Sequence, residues 1–358
     1  MLGGNDIDMD AKNFLKKLSN SVGISGREHS AAKIVCKMFE GLVDEVKFDA
    51  LGSVIMFKKG KGSKDNPKIM MAAHVDEIGL IVTGIDKGFI RFSSVGGVDQ
   101  RILPAMEVVV HGKKELIGII SSLPPHLCEP QDKGKAWKFE ELFVDCGISE
   151  EELSQLVQVG DVISFKTEVC ELLNNKLSGK SMDNRAGLAV LYECAKRLSK
   201  ADNECDVYFV ATVLEEVSYG GAITSTFGIM PDIGIAVDVT HANAPELPEY
   251  KVIEMGKGPG IGIGPHVHPK VYQKMCEVAE EGRISYQVEP SASPQGTDAF
   301  AMQTTGCGVA TGLLSVPLRY MHTPAELLCV SDVVKTGKLL AHFVMSLDSQ
   351  FMEELKCC

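Results

Sequence analysis

An α/β fold interrupted by a small β-rich domain is predicted by three features of this 358-residue sequence. The near-continuous apolar runs at 69–73, 206–214, 233–239 and 307–314 lack a helical period, read as buried strands of an open sheet, and alternate with helical patterns. Between about Ile78 and Phe165 the texture changes to short β-like runs separated by Gly, Asp-Lys-Gly and Pro-Pro signals. The length exceeds what one core usually organises and, at ~150 residues per domain, suggests about two. The 45% apolar content suffices for sizeable cores.

In order, residues 9–42 read as helical. Phe14, Leu15 and Leu18, then Ala32, Ile34, Val35, Met38 and Phe39, recur at helical spacing on either side of a Gly23-Ile24-Ser25-Gly26 break. Short strands follow at 46–49 and 53–58, and the KKGKGSKDNP segment reads as a solvated hairpin turn. The stretch KIMMAAHVDEIGL, 68–80, starts as a central strand after Asp65-Asn66-Pro67 and runs into polar residues. In the β-rich stretch the strands are LIVTGI, FIRFSSV, MEVVVHG, LIGIISS and DVISF, with one helix over 149–157 announced by the capping box of Ser149 and Glu152. Pro124, Pro125 and Pro130 belong to a loop within it. Beyond it come helix 184–199, with Gly187, Leu191, Cys194 and Leu198 along one face, then helix 269–282, a turn over 290–296 and a final helix 331–355. GKGPGIGIG, 256–264, has no G-x-G-x-x-G in register and precedes Pro265, so it is not a dinucleotide loop.

A net charge of −12 argues against nucleic acid and anionic membranes as partners. No apolar run approaches the ~18 residues of a spanning helix, and MLGGNDIDMD lacks the regions of a signal peptide. Eleven cysteines, spread singly with no C-x-x-C pair, fit reduced thiols and a cytoplasmic protein; Cys357 and Cys358 are expected to be exposed.

Polar residues cluster where strands end or helices begin. His74 and Asp76 end the strand at 69–73, and being two apart on one side they allow the carboxylate to hold the imidazole from behind. Asp183 precedes a helix, Glu215 and Glu216 end the strand at 206–214, Asp238 ends the strand at 233–237, and His322 follows Arg-Tyr-Met. Singly these read as a satisfied core histidine, an N-cap and solvated loop charges. Together, two imidazoles and three carboxylates at one sheet rim are a ligand set for two divalent ions bridged by one carboxylate. Glu215 and Glu216, being adjacent, can point different ways and divide the work of proton transfer and coordination.

AHVDEIG, SMDNRAG, the Glu-Glu pair followed by Gly-Gly-Ala, VDVTHA, GTDAF and RYMHTPAE, in this order, resemble the M42 family of metallo-aminopeptidases. The likeness spans nearly the whole chain. It implies a mixed-sheet, phosphorylase/hydrolase-like catalytic domain over 1–77 and 166–358, and an inserted β-rich oligomerisation domain over 78–165. It implies that His74 and Asp238 hold one metal, Glu216 and His322 a second, and that Asp183 bridges; Glu215 would be the general base and Asp76 the group behind His74. Zinc or cobalt, with manganese also possible, would be the ions, and peptides the substrates. Dimers would assemble through the insert into a hollow tetrahedral dodecamer. Thr323 stands where the family pattern has serine, and the run ANAPELPEY after His241 departs from it. The alternatives are an endoglucanase-type glycoside hydrolase, which needs two carboxyls across a sugar and has no use for the two histidines, and a non-enzymatic binding module. His266 and His268 in GPHVHP form a second possible histidine pair but have no carboxylate motif beside them. His241 reads as an indirect or substrate-side group, and Asp298 as either a helix cap or a pocket residue.

Overall fold

Alternating apolar runs and helices build the frame described here for residues 4–62, 66–127, 135–293 and 296–355 of the computed structural model. The centre of the 58–67 turn, Pro130, Cys357 and Cys358 lie outside the described residues. Helices α1 (Gly4–Ser19) and α2 (His29–Phe39) flank the break at 23–26 and lead to strands β1 (Glu45–Phe48), β2 (Val54–Lys58) and β3 (Lys68–His74). The β-rich stretch contains β4 (Gly79–Asp86), β5 (Phe89–Val95), β6 (Glu107–His111), β7 (Glu115–Ser121), β8 (Phe143–Asp145), α3 (Glu150–Leu156) and β9 (Val162–Phe165). Then follow β10 (Cys170–Leu172), β11 (Lys176–Gly179), α4 (Met182–Leu198), β12 (Asp206–Thr212), α5 (Glu215–Ser218), α6 (Gly220–Ile229) and β13 (Ile233–His241). The chain ends with β14 (Gly260–Ile263), α7 (Pro269–Glu281), β15 (Gln287–Pro290), α8 (Asp298–Thr304), β16 (Ala310–Arg319), β17 (Glu326–Cys329), α9 (Val330–Met345) and α10 (Ser349–Leu355).

Among the described residues, eleven strands form one mixed sheet ordered β1-β2-β12-β3-β13-β16-β17-β11-β10, with β14 pairing β15 and β16. The four central strands β12, β3, β13 and β16 are parallel, and the other pairings are antiparallel except that of β14 with β15, which is parallel. Strand β3 shows why its sequence has no alternation. Ile69, Met71 and Ala73 enter the core shared with α1, α2, α4 and α9, while Met70 and Ala72 enter the core on the opposite face beneath α6 and α8. A strand buried on both sides is apolar at every position. Gly187 brings α4 close to this sheet: a Cβ there would stand 2.8 Å from the Ala73 Cβ and 2.7 Å from the Val237 carbonyl oxygen.

The insert is a closed six-stranded barrel in the order β4-β5-β8-β7-β6-β9. It encloses a core of its own, including Leu80, Val82, Ile90, Val108, Val110, Ile120, Val144 and Ile163. Ser149 caps α3 by accepting the Glu152 N–H at 3.2 Å, as its sequence predicts. Two expectations fail: the strand expected over 233–237 runs on to His241, with Asp238 inside it, and 331–355 is not a single helix. α9 stops at Met345, and Asp348 begins α10 by accepting the Phe351 N–H at 2.8 Å. Leu347 and Phe351 are both buried, so the apolar period runs through the break and conceals it.

Candidate metal centre

The site lies at the C-terminal rim of the parallel strands, where an open α/β sheet presents loop and strand-end side chains to a crevice. His74 closes β3. Its Nε2 stands 3.0 Å from Asp183 Oδ1, 3.8 Å from Glu215 Oε2 and 3.9 Å from Asp238 Oδ1. Its Nδ1 faces Asp76, 3.2 Å from the main-chain oxygen and 3.5 Å from Oδ1. The Asp76 carboxylate also accepts the Ser25 hydroxyl at 2.6 Å and the N–H groups of Glu215 and Glu216 at 3.1 and 3.2 Å. The same carboxylate therefore fixes both the histidine and the start of α5.

Asp183 stands at the kinked beginning of α4 and caps nothing there; the N-cap position belongs to Ser181. Its second oxygen, Oδ2, lies 3.4 Å from His322 Nε2, and that nitrogen is also 3.4 Å from Glu216 Oε2. Two groups of potential metal ligands result, His74 with Asp183 and Asp238, and Asp183 with Glu216 and His322. Within each, the donor atoms lie inside 4.8 Å of one another. All seven residues singled out from the sequence gather at this one place. His322 has a left-handed backbone, φ +60°. Its N–H donates to Glu326 Oε1 at 2.8 Å, and the other oxygen of Glu326 accepts the Asp183 N–H at 3.0 Å. Glu326 is buried and ties the two ligand-bearing turns together, a role that its place in RYMHTPAE did not disclose.

The electrostatics of the cluster call for cations. Burial, reinforced by Asp238, Asp298 and Asp183, pushes Glu215 up to about 10 despite His74. Burial and Asp183 push Glu216 up to about 7, and burial drives Asp238 well above the carboxylate range. Burial would lower His74, but Glu215, Asp183 and Asp76 outweigh it and hold the imidazole well above its ordinary value. Four carboxylates this close together and this buried cannot all stay charged without positive charge among them. Their donor set, two imidazole nitrogens with carboxylate oxygens and no thiolate, suits borderline divalent ions.

Of the other candidates, Asp298 and His241 border the cluster, whereas His266 and His268 do not. His268 caps α7, accepting the Lys270 N–H at 3.3 Å, and His266 is buried; neither joins a ligand group among the described residues. Asp298 opens α8 and accepts the Thr212 hydroxyl at 2.6 Å. His241 lines a cavity of about 1150 Å³ that opens from the ligand cluster, with Tyr219, Ile253, Glu289, Leu313 and Met321 among its other walls.

The family model for M42 glutamyl aminopeptidases matches residues 52–339. The chain belongs to the M42 aminopeptidase family. Among M42 relatives, it is 40% identical over 332 residues to a lysyl aminopeptidase of Pyrococcus furiosus, covering 91% of this chain and 94% of that protein. An aminopeptidase structure from Desulfurococcus kamchatkensis superposes with a TM-score of 0.91 at 35% identity, over 98% of each chain. A Pyrococcus horikoshii TET peptidase, described as able to assemble into a tetrahedron or a large octahedral shell, superposes with a TM-score of 0.83 at 32% identity, over 94% of this chain and 100% of that one. This M42 enzyme is a metallo-aminopeptidase with two candidate metal groups that share Asp183.

Proposed function

We propose that the enzyme removes N-terminal residues from peptides at a dinuclear centre in which His74 and Asp238 hold one divalent ion, Glu216 and His322 a second, and Asp183 bridges. The observation that carries this reading is the division of Asp183, one oxygen 3.0 Å from His74 and the other 3.4 Å from His322. The nitrogen and carboxylate donors favour zinc or cobalt, with manganese also accommodated. When bound, such ions supply Lewis acidity to a scissile carbonyl and lower the pKa of water toward ~7. Glu215 belongs to neither ligand group yet approaches His74 to 3.8 Å, which suits it to take a proton from the attacking water and return it to the leaving amine. Asp76 holds the His74 ring by Nδ1 and leaves Nε2 aimed at the centre.

The lysyl activity named for the Pyrococcus furiosus relative supports acceptance of a cationic first side chain. The eight cysteines among the described residues are all free, which supports a reduced, cytoplasmic setting. The barrel contributes no carboxylate or imidazole to the metal groups, which supports its use as an assembly element, with peptides admitted to an enclosed shell.

The test is hydrolysis of lysyl-, leucyl- and glutamyl-p-nitroanilide by purified protein, before and after dialysis against a chelator. Activity that chelation abolishes and zinc, cobalt or manganese restores, highest on the lysyl substrate, supports the reading. Cleavage of a β-glucan with no aminopeptidase activity overturns it, and equal rates on all three anilides overturn the selectivity alone.

A further inference from the structure

The two histidines at the centre are held in different ways. The His74 side chain is 2% exposed and its Nδ1 is met by Asp76, a residue of the same strand end. The His322 side chain is 35% exposed, so burial alone does not fix its ring. What meets its Nδ1 is the carbonyl oxygen of Gly97, at 3.1 Å, and Gly97 belongs to the turn that leaves strand β5 of the barrel. A carbonyl can only accept, so Nδ1 carries a proton, and in the neutral ring the lone pair is left on Nε2, the nitrogen that faces Asp183 and Glu216.

The turn has room for this contact only because it is made of glycines. A Cβ on Gly97 would stand 2.7 Å from His322 Nδ1 and 3.0 Å from Cε1. Gly96 has φ +76°, and a Cβ there would come within 3.4 Å of Glu216 Oε2. The barrel turn thus packs on His322 and Glu216, the two residues found in one ligand group but not the other.

We propose that the Gly96–Gly97 turn is a positioning element for the second metal alone: it selects the His322 tautomer and fixes the ring, so that the barrel sets the affinity of one ion and leaves the other to Asp76. The inference rests on the reading of His322 as a ligand. An imidazole ligand that loses the acceptor behind it binds metal about 10- to 100-fold more weakly.

The experiment is calorimetric binding of zinc to metal-stripped, full-length protein, resolving the number of equivalents and the Kd of each. Replacing His322 by Nδ-methylhistidine removes the proton given to Gly97 and leaves Nε2 in place. The expected result is an unchanged first equivalent and a second weakened about 10- to 100-fold. Gly97→Ala, which drives a methyl group into the ring, should do the same. Gly147→Ala is the control, since Gly147 is a barrel glycine of positive φ (+69°) with nothing within 4 Å of the added Cβ, and it should leave both equivalents as they are. A second equivalent of wild-type affinity in the methylated protein overturns the inference, as does equal weakening of both equivalents in Gly97→Ala. Failure of the underlying reading looks different, because His322→Ala would then still bind two equivalents at wild-type affinity.

Discussion

At the scale of single residues, two adjacent glutamates separate the proposed roles. Glu215→Gln keeps the shape of the site and removes the proton acceptor, so turnover should fall by about 10²- to 10⁴-fold while both metal equivalents are retained. Glu216→Gln should instead weaken the second equivalent. Assays of kcat alongside metal content check the pair, and the reverse pattern would exchange the two assignments. Asp76→Asn still accepts from neighbouring groups but carries no charge behind His74. Zinc affinity at the first equivalent should fall about 10- to 100-fold with the second spared, as read by calorimetry. These residues could be read from the sequence because each is a polar group placed directly after an apolar strand or before a helix. Glu326 and Gly97 could not. Their contacts run through main-chain atoms, the N–H groups of Asp183 and His322 for one and a carbonyl for the other, and depend on the left-handed backbone of His322. Side-chain identity does not encode such contacts.

At the scale of elements, the fit of α4 against the sheet can be tested at Gly187. An added methyl group would meet the Asn184 side chain at 2.4 Å and the Val237 carbonyl at 2.7 Å, backbone that cannot yield without moving Asp238 beside it. Gly187→Ala should therefore cost about 1–3 kcal/mol, visible as a lower midpoint in urea unfolding, even though alanine is the better helix former. A stability equal to wild type would mean that α4 can shift outward freely. Much of this layer was legible, since strands buried on both faces and helices of regular period carry strong signals. Strands β8, β10, β11, β14, β15 and β17 were not, being three or four residues long and so too short to show a period. The α9–α10 break escaped because Asp348 restarts a helix in phase with the apolar stripe, so periodicity alone shows nothing there.

At the scale of the whole molecule, two exposed apolar patches stand apart from each other, Ile117 and Ile119 on β7 of the barrel, and Ile223 and Phe227 on α6 of the sheet domain. A closed shell of tetrahedral symmetry needs more than one kind of contact per chain, so two patches suit it better than one. Lysines at both Ile117 and Ile119 should stop assembly at a smaller discrete species, and lysines at both Ile223 and Phe227 at a different one. Light scattering reads the masses; two variants that keep the wild-type mass would remove both patches from the assembly. The barrel has one more consequence, for the order in which the chain folds. Its first and last strands are neighbours, with Leu80 opposite Ile163 and Ile81 opposite Val162. Closing it joins the ends of a long excursion that would otherwise separate β3 from β10 and β11, and at about 0.6 kcal/mol per doubling of loop length this spares later sheet pairing roughly 2 kcal/mol of closure entropy. The barrel, with its own core and nearer-neighbour pairings, should therefore form early and act as a knot that shortens the effective chain. In pulsed hydrogen exchange during refolding, the amides of Val108 and Val110 should become protected before those of Met71 and Ala73; simultaneous protection would show that sheet and barrel close as one unit.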